Sequence, residues 1–358
     1  MEPAVQPQRA ETASPPVLAR SSEGWAALLE EAAAASARSA QHSSSPAPSM
    51  LSILQGARTV FVLADRRAER ALARLPPSGK PLRGRLWREL SGASRIEALF
   101  EEGLFARLLA AEGAHDEAIE LDVGRTFPAQ EYFRSDAVRG ELSKVLRAYA
   151  AYDAECGYVQ GLGFVAGTLL YHLEDAEQAF FVLIQMMNGL NIRWLYVPPK
   201  SALSLALHQL DALIAARFPA LHASFRSKGV TAELYGTQWF VTLFSYRGLP
   251  IEAVAKIWDF FFLRGPIFLF QVALALVAQL EEQLLAAPFE DVMQILLHKW
   301  RGPCTTLIDE ALLVEIDEEL LASTEARFTQ KMDGMNAAVD ADASADTWSG
   351  MLFKFLEM

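Results

Sequence analysis

The sequence predicts an all-α fold, a multi-helix array behind a disordered N-terminal tail. Three observations carry that expectation. Apolar residues recur at intervals of three and four through most of the chain, glycines and prolines punctuate them in pairs, and turn-bounded period-two alternation is scarce.

Residues 1–50 are rich in Ala, Ser and Pro and close on Ser43-Ser-Ser-Pro-Ala-Pro-Ser49. Such a composition buries too little apolar surface to offset its chain entropy, so the stretch reads as a disordered tail with a short helix around residues 25–30. Residues 51–78 read as a linker with room for a helix, ending at Pro76-Pro-Ser-Gly79. The main domain is expected from 79 to 321. Within it Val138, Leu142, Val145, Leu146, Tyr149 and Tyr152 mark one helix face, and Leu203, Leu207, Leu210 and Ile214 another. Pro250 and Pro266 each open an apolar-periodic run, as suits proline in a first helical turn. Gly248 and Gly265 just before them read as stop signals for the preceding helices. Residues 322–358 form a C-terminal extension, in which 335–347 reads as a second mobile stretch.

Composition narrows the function classes. The chain has 358 residues, 32 Lys+Arg against 44 Asp+Glu and a net charge of −12, so a nucleic-acid coat, which needs a basic face, is a poor fit. Its two cysteines, Cys156 and Cys304, have neither zinc-ribbon spacing nor the density of a disulfide framework, which points to a reducing, intracellular compartment. The two longest uncharged runs, 156–173 and 265–280, fall short of the roughly 20 predominantly apolar residues of a spanning helix and read as buried core helices. The N-terminus carries five glutamates in its first 31 residues and no basic segment leading into an apolar stretch, so no secretory or transit signal is expected.

Self-contained catalytic motifs are missing. Gly161-Leu-Gly163-Phe-Val-Ala-Gly167 has the look of a nucleotide fingerprint, but a helix-like segment precedes it where a strand is required. Small residues for close helix packing are the better reading. The sequence has no phosphate-loop lysine motif, no His-Glu-x-x-His and no Gly-x-Ser-x-Gly elbow, so no metal site or bound cofactor of its own is expected.

Two segments carry more. In Ile119-Glu-Leu-Asp122-Val-Gly-Arg125-Thr-Phe-Pro128 the acid and the base stand three apart, so they can pair on a helical turn. Gly124 removes bulk beside the arginine, and Thr126-Phe-Pro128 breaks the turn just after it. The arginine can then project into a groove or a partner. In Tyr158-Val-Gln160-Gly161-Leu-Gly163 a polar residue opens an apolar helix among glycines; a glutamine that merely binds a backbone group at a helix start is an equal reading of these residues alone.

Together the segments resemble the TBC domain family, the Rab GTPase-activating proteins. The match runs from Leu82-Arg-Gly-Arg-Leu-Trp87 through Asp122, Arg125 and Tyr158-x-Gln160-Gly161 to Gln238-Trp-Phe240 and Ile257-Trp-Asp259. The resemblance implies a TBC-domain-like helical array that accelerates GTP hydrolysis by a Rab GTPase in its GTP-bound state, the partner bringing both GTP and Mg²⁺. It implies that Arg125 is an arginine finger and Gln160 a glutamine finger, supplied in trans. Asp122 would orient the guanidinium, with Tyr158 and Gly161 in support and Phe127 lining the groove. Trp87, Trp239 and Trp258 are expected as core anchors, Arg83 as structural although Arg83, Arg85 and Arg88 form a basic cluster, and Asp259 as an internal brace for a basic side chain. The expected location is cytoplasmic, reaching endomembranes only through the partner. The alternative is a silent module that binds a Rab or scaffolds other proteins without accelerating hydrolysis.

Overall fold

A computed structural model describes residues 80–341, apart from 112, 198–200 and 247, together with Glu69, Leu72, Ala73 and Leu75. The expected tail at 1–50 and its short helix lie outside the described residues. Among the described residues of 80–341 there are fifteen α-helices and no strand. The N-terminal half holds α1 (Lys80–Ser91), α2 (Ala93–Glu97), α3 (Leu104–Leu109), α4 (Asp116–Val123), α5 (Asp136–Tyr152), α6 (Leu162–Leu173) and α7 (Ala176–Asn188). The C-terminal half holds α8 (Ser201–Arg217), α9 (Pro219–Lys228), α10 (Ala232–Val241), α11 (Ile251–Arg264), α12 (Ile267–Ala286), α13 (Phe289–His298), α14 (Cys304–Leu313) and α15 (Glu318–Ala341). Short 3₁₀ turns at Glu131–Arg134 and Arg193–Leu195 precede α5 and α8.

Helix α6 sits at the centre of the first half, packed against α1, α5 and α7, with α4 at its edge. Leu162, Val165, Ala166, Leu169 and Leu170 are buried and Phe164, Tyr171 and Leu173 half-buried, as suits a helix apolar around most of its surface. In the second half α8 packs on α9, α10 and α15, and α12 on α11, α13 and α14. Helix α12 is long and apolar enough to cross a membrane by length and composition, yet 67 % of its apolar window is buried inside the protein. It serves here as a core helix.

The halves are tied through α1 and α11. Arg83 is wholly buried and donates from Nε to Asp259 Oδ1 (2.9 Å) and from Nη2 to Asp259 Oδ2 (3.1 Å). Trp87 Nε1 donates to the same carboxylate at 3.0 Å, and its ring lies 5.4 Å from that of Trp258. A buried charge pair survives only when its remaining donors and acceptors are met, and the indole meets one of them. The tryptophans and Arg83 are therefore internal, as expected, and Asp259 braces Arg83. Arg88 pairs with Glu97 and only Arg85 of the three is exposed, so no basic surface patch forms.

Several expectations need correction. The packed unit begins before residue 79: Leu72 and Leu75 are core residues, Lys256 Nζ donates to the Leu72 carbonyl at 2.7 Å, and Arg264 pairs with Glu69. The boundary at 321 falls inside a helix, since α15 begins at Glu318 and Leu321 is fully buried. That helix continues to Ala341, so 335–341 of the stretch read as mobile are helical, and 342–347 lie outside the described residues. Its Asn-Ala-Ala-Val-Asp-Ala sequence keeps alanine, the best helix former, at half of its positions. Gly265 does end α11, at φ 76°. Gly248 ends nothing: α10 stops at Val241, and the chain turns at Leu243 and Phe244, both with positive φ. A Cβ on Gly248 would stand 2.3 Å from the Leu297 carbonyl oxygen, so that glycine serves a close backbone approach.

Candidate functional site

Arg125 follows directly on the C-terminus of α4. The helix closes with tight turns, Arg125 N–H to the Asp122 carbonyl (3.0 Å) and Thr126 N–H to the Val123 carbonyl (3.3 Å), and the Thr126 hydroxyl donates to the Asp122 carbonyl at 2.9 Å. These bonds satisfy carbonyls that a helix end leaves open. Phe127 then takes a left-handed φ of 45°, which stops any continuation of the helix.

What aims the arginine outward is the packing of its neighbours inward. Thr126 and Phe127 are buried against α6, where Gly163 and Gly167 leave room for them. A Cβ on Gly163 would come within 2.8 Å of Thr126 Oγ1, and one on Gly167 within 3.2 Å of Phe127 Cε2. The glycine repeat is thus a packing device, and the fingerprint reading has no strand to stand on among the described residues. The Arg125 side chain keeps 45 % of its surface exposed. Gly124 contributes less than the sequence suggested: its Cβ would meet only backbone oxygens at 3.6 and 3.9 Å, an ordinary contact distance.

Asp122 joins the arginine turn to the second segment. Its Oδ1 accepts from Arg125 Nη2 at 2.7 Å, and its Oδ2 accepts from the Tyr158 hydroxyl. Asp122 itself is nearly buried. Burial first, and then the Asp122 charge, push the Tyr158 phenol well above its ordinary value, so it stays protonated and remains a donor.

Gln160 lies half-buried two residues beyond Tyr158, in the segment that enters α6. Gly161, the residue that caps α6, has φ 99°, and a Cβ there would press on Val241 Cγ1 at 3.1 Å. Side chains other than glycine rarely adopt that φ, so glycine is needed for conformation and for space alike. Earlier in the same segment, Gly157 packs on the residue that caps α4: a Cβ there (φ 58°) would meet His115 Nε2 at 2.5 Å. Asp122, Arg125 and Tyr158 thus form one hydrogen-bonded chain, while Phe127 lies beneath it as a packing residue. Thr126, expected only as part of the turn break, also packs against Gly163 and Gly167, and His115, which the sequence did not single out, packs against Gly157. No three His, Cys, Asp or Glu side chains among the described residues are grouped to hold a metal ion.

The all-helical scaffold recurs in known proteins. Residues 80–285 match the family model described as the Rab-GTPase-TBC domain. The chain belongs to this family. Its TBC domain is 34 % identical over 211 residues to the Ecotropic viral integration site 5 ortholog of Drosophila melanogaster, a match covering 58 % of this chain and 25 % of that protein. It is 32 % identical over 223 residues to the GTPase-activating protein GYP5 of Saccharomyces cerevisiae, covering 62 % and 24 %. The chain thus spans about a quarter of the length of these curated relatives. In fold it is similar to the crystal structure of the Chlamydomonas flagellar RabGAP TBC domain, with a TM-score of 0.59 and 24 % identity over 79 % of this chain and 95 % of that one.

Proposed function

We propose that this TBC domain stimulates GTP hydrolysis by a Rab-family GTPase in its GTP-bound state, with Arg125 and Gln160 as the residues supplied in trans. The partner brings the nucleotide and Mg²⁺, and the protein needs no cofactor of its own. As the γ-phosphoryl group passes to water, charge must be stabilised on the bridging and terminal oxygens and the water must be held in line. A guanidinium suits the first task because it is permanently charged, planar and multiply donating. A carboxamide suits the second because it both donates and accepts hydrogen bonds. Asp122 orients the guanidinium, Tyr158 holds Asp122, and Gly161 sets the turn behind Gln160. The protein acts from the cytoplasm and meets endomembranes through its partner.

The observation that carries this reading is the Asp122 carboxylate, which accepts from Arg125 on one side and from Tyr158, two residues before Gln160, on the other. The relative named as a GTPase-activating protein supports it. The test is a single-turnover assay of phosphate release on a panel of GTP-loaded Rab GTPases, with nucleotide-dependent binding measured on the same panel. Acceleration of at least one member is expected. Binding without acceleration of any member would overturn the reading in favour of a silent docking module.

A further inference from the structure

Gln160 stands on the 153–161 segment between α5 and α6, which has no regular secondary structure to hold it. We propose that Arg193, remote in sequence, is the positioning residue for Gln160, acting through Asp153 and Glu155; the proposal rests on the two-finger reading above.

The segment is gripped at its start. Arg193 donates from Nε to Asp153 Oδ2 (2.6 Å) and from Nη2 to Asp153 Oδ1 (2.7 Å), and Nη2 also reaches Glu155 Oε2 at 2.7 Å. Asp153 accepts in addition from the Tyr149 hydroxyl (3.0 Å) and the Cys156 backbone N–H (3.2 Å). One carboxylate thus collects α5, the segment and the 3₁₀ turn that carries Arg193. The Arg193 hydrogen bonds hold the Asp153 carboxyl below its ordinary range, so the pair stays ionised.

The same turn supports the other end. The Tyr196 hydroxyl donates to the Val241 carbonyl at 2.9 Å, and Val241 is the side chain against which Gly161 packs. Trp194 and Leu195, between Arg193 and Tyr196, are buried, which fixes the turn in the core. Residues 193–196 therefore brace the segment directly at 153–155 and, through Val241, behind 161. Lysine could not replace the arginine here, because a point charge cannot make the two parallel bonds to Asp153 while also reaching Glu155.

The experiment uses the full chain and a GTP-loaded Rab GTPase that the wild type stimulates. Arg193→Gln and Arg193→Lys should lower kcat by about 10- to 100-fold, as expected for a misplacement of roughly 1 Å, with KM for the GTPase changed by less than about threefold. In a Gln160→Ala background Arg193→Gln should cost nothing further, because a residue that acts only through Gln160 has nothing left to position. Thermal melting checks that each variant is folded. If Arg193→Gln does not fold, Asp153→Asn, which keeps the side-chain volume, must give the same kcat loss. Wild-type kcat in the Arg193 variants, a loss carried by KM alone, or an undiminished loss on top of Gln160→Ala would each overturn the proposal. Those results would leave the two-finger reading standing if Gln160→Ala is itself impaired. A Gln160→Ala variant as active as wild type would overturn both.

Discussion

The Tyr158 hydroxyl donates to Asp122 Oδ2 while Arg125 occupies Oδ1, so a nearly buried carboxylate has both oxygens committed to residues from two different segments. The arrangement fixes the guanidinium's rotamers without enclosing it. The guanidinium end of the pair stays 45 % exposed, where water screens the attraction, so the value of Asp122–Arg125 lies in orientation more than in folding.

Arg125→Ala should reduce stimulated hydrolysis by about 10³-fold or more, the scale of an arginine supplied in trans. Arg125→Lys should recover little of it, since an ammonium cannot span the same oxygens. Single-turnover phosphate release on a responsive Rab checks both; full stimulation by Arg125→Ala would remove the arginine from the mechanism.

Tyr158→Phe should leave a folded protein with kcat lowered about tenfold. The lost bond strips one donor from a carboxylate that is almost out of water, a change worth about 1–3 kcal/mol in urea unfolding. A variant destabilised by that amount but unchanged in kcat would show that Tyr158 serves the fold alone.

Gly163→Ala tests the seat of the arginine turn. The new methyl would stand 2.8 Å from Thr126 Oγ1, which is itself bonded to the Asp122 carbonyl, so the hydroxyl cannot yield without loss. Overpacking of this kind costs about 1–3 kcal/mol. Adding Thr126→Ala opens the space, so the double variant should be less destabilised than the sum of the two single ones, measured by urea unfolding.

His172 supplies a pH dependence. It is buried in α6 with neither ring nitrogen hydrogen-bonded to a partner among the described residues, its ring centroid 4.6 Å from that of Trp87. Burial, then the charges of Arg83 and Lys80, hold its pKa well below the ordinary value. The unfolded chain therefore takes up a proton that the folded one refuses. The contribution is fully present above about pH 6.5, the unfolded value, and declines by up to about 1.4 kcal/mol per pH unit as the pH falls toward the folded one. His172→Phe keeps a ring against Trp87 and should flatten the decline in stability between about pH 6.5 and 5; an unchanged slope in urea unfolding would rule out His172 as its source.

The features legible in the chain before folding are local. The three-and-four periodicity specified helices such as α5 and α8, because an apolar stripe must be buried on one side, and the spacing of Asp122 and Arg125 specified their pairing, because one helical turn brings them together. The glycine stop at 265 was legible for the same reason. Which carboxylate meets which guanidinium across the fold is settled by packing: Asp259 with Arg83, and Asp153 with Arg193. Packing also decided that Gly163 exists for Thr126, that Gly248 makes room for α13, and that the packed unit reaches back to Leu72. Those contacts join residues far apart in the chain, where no periodicity links them, and they are selected by shape and charge only after the helices have packed.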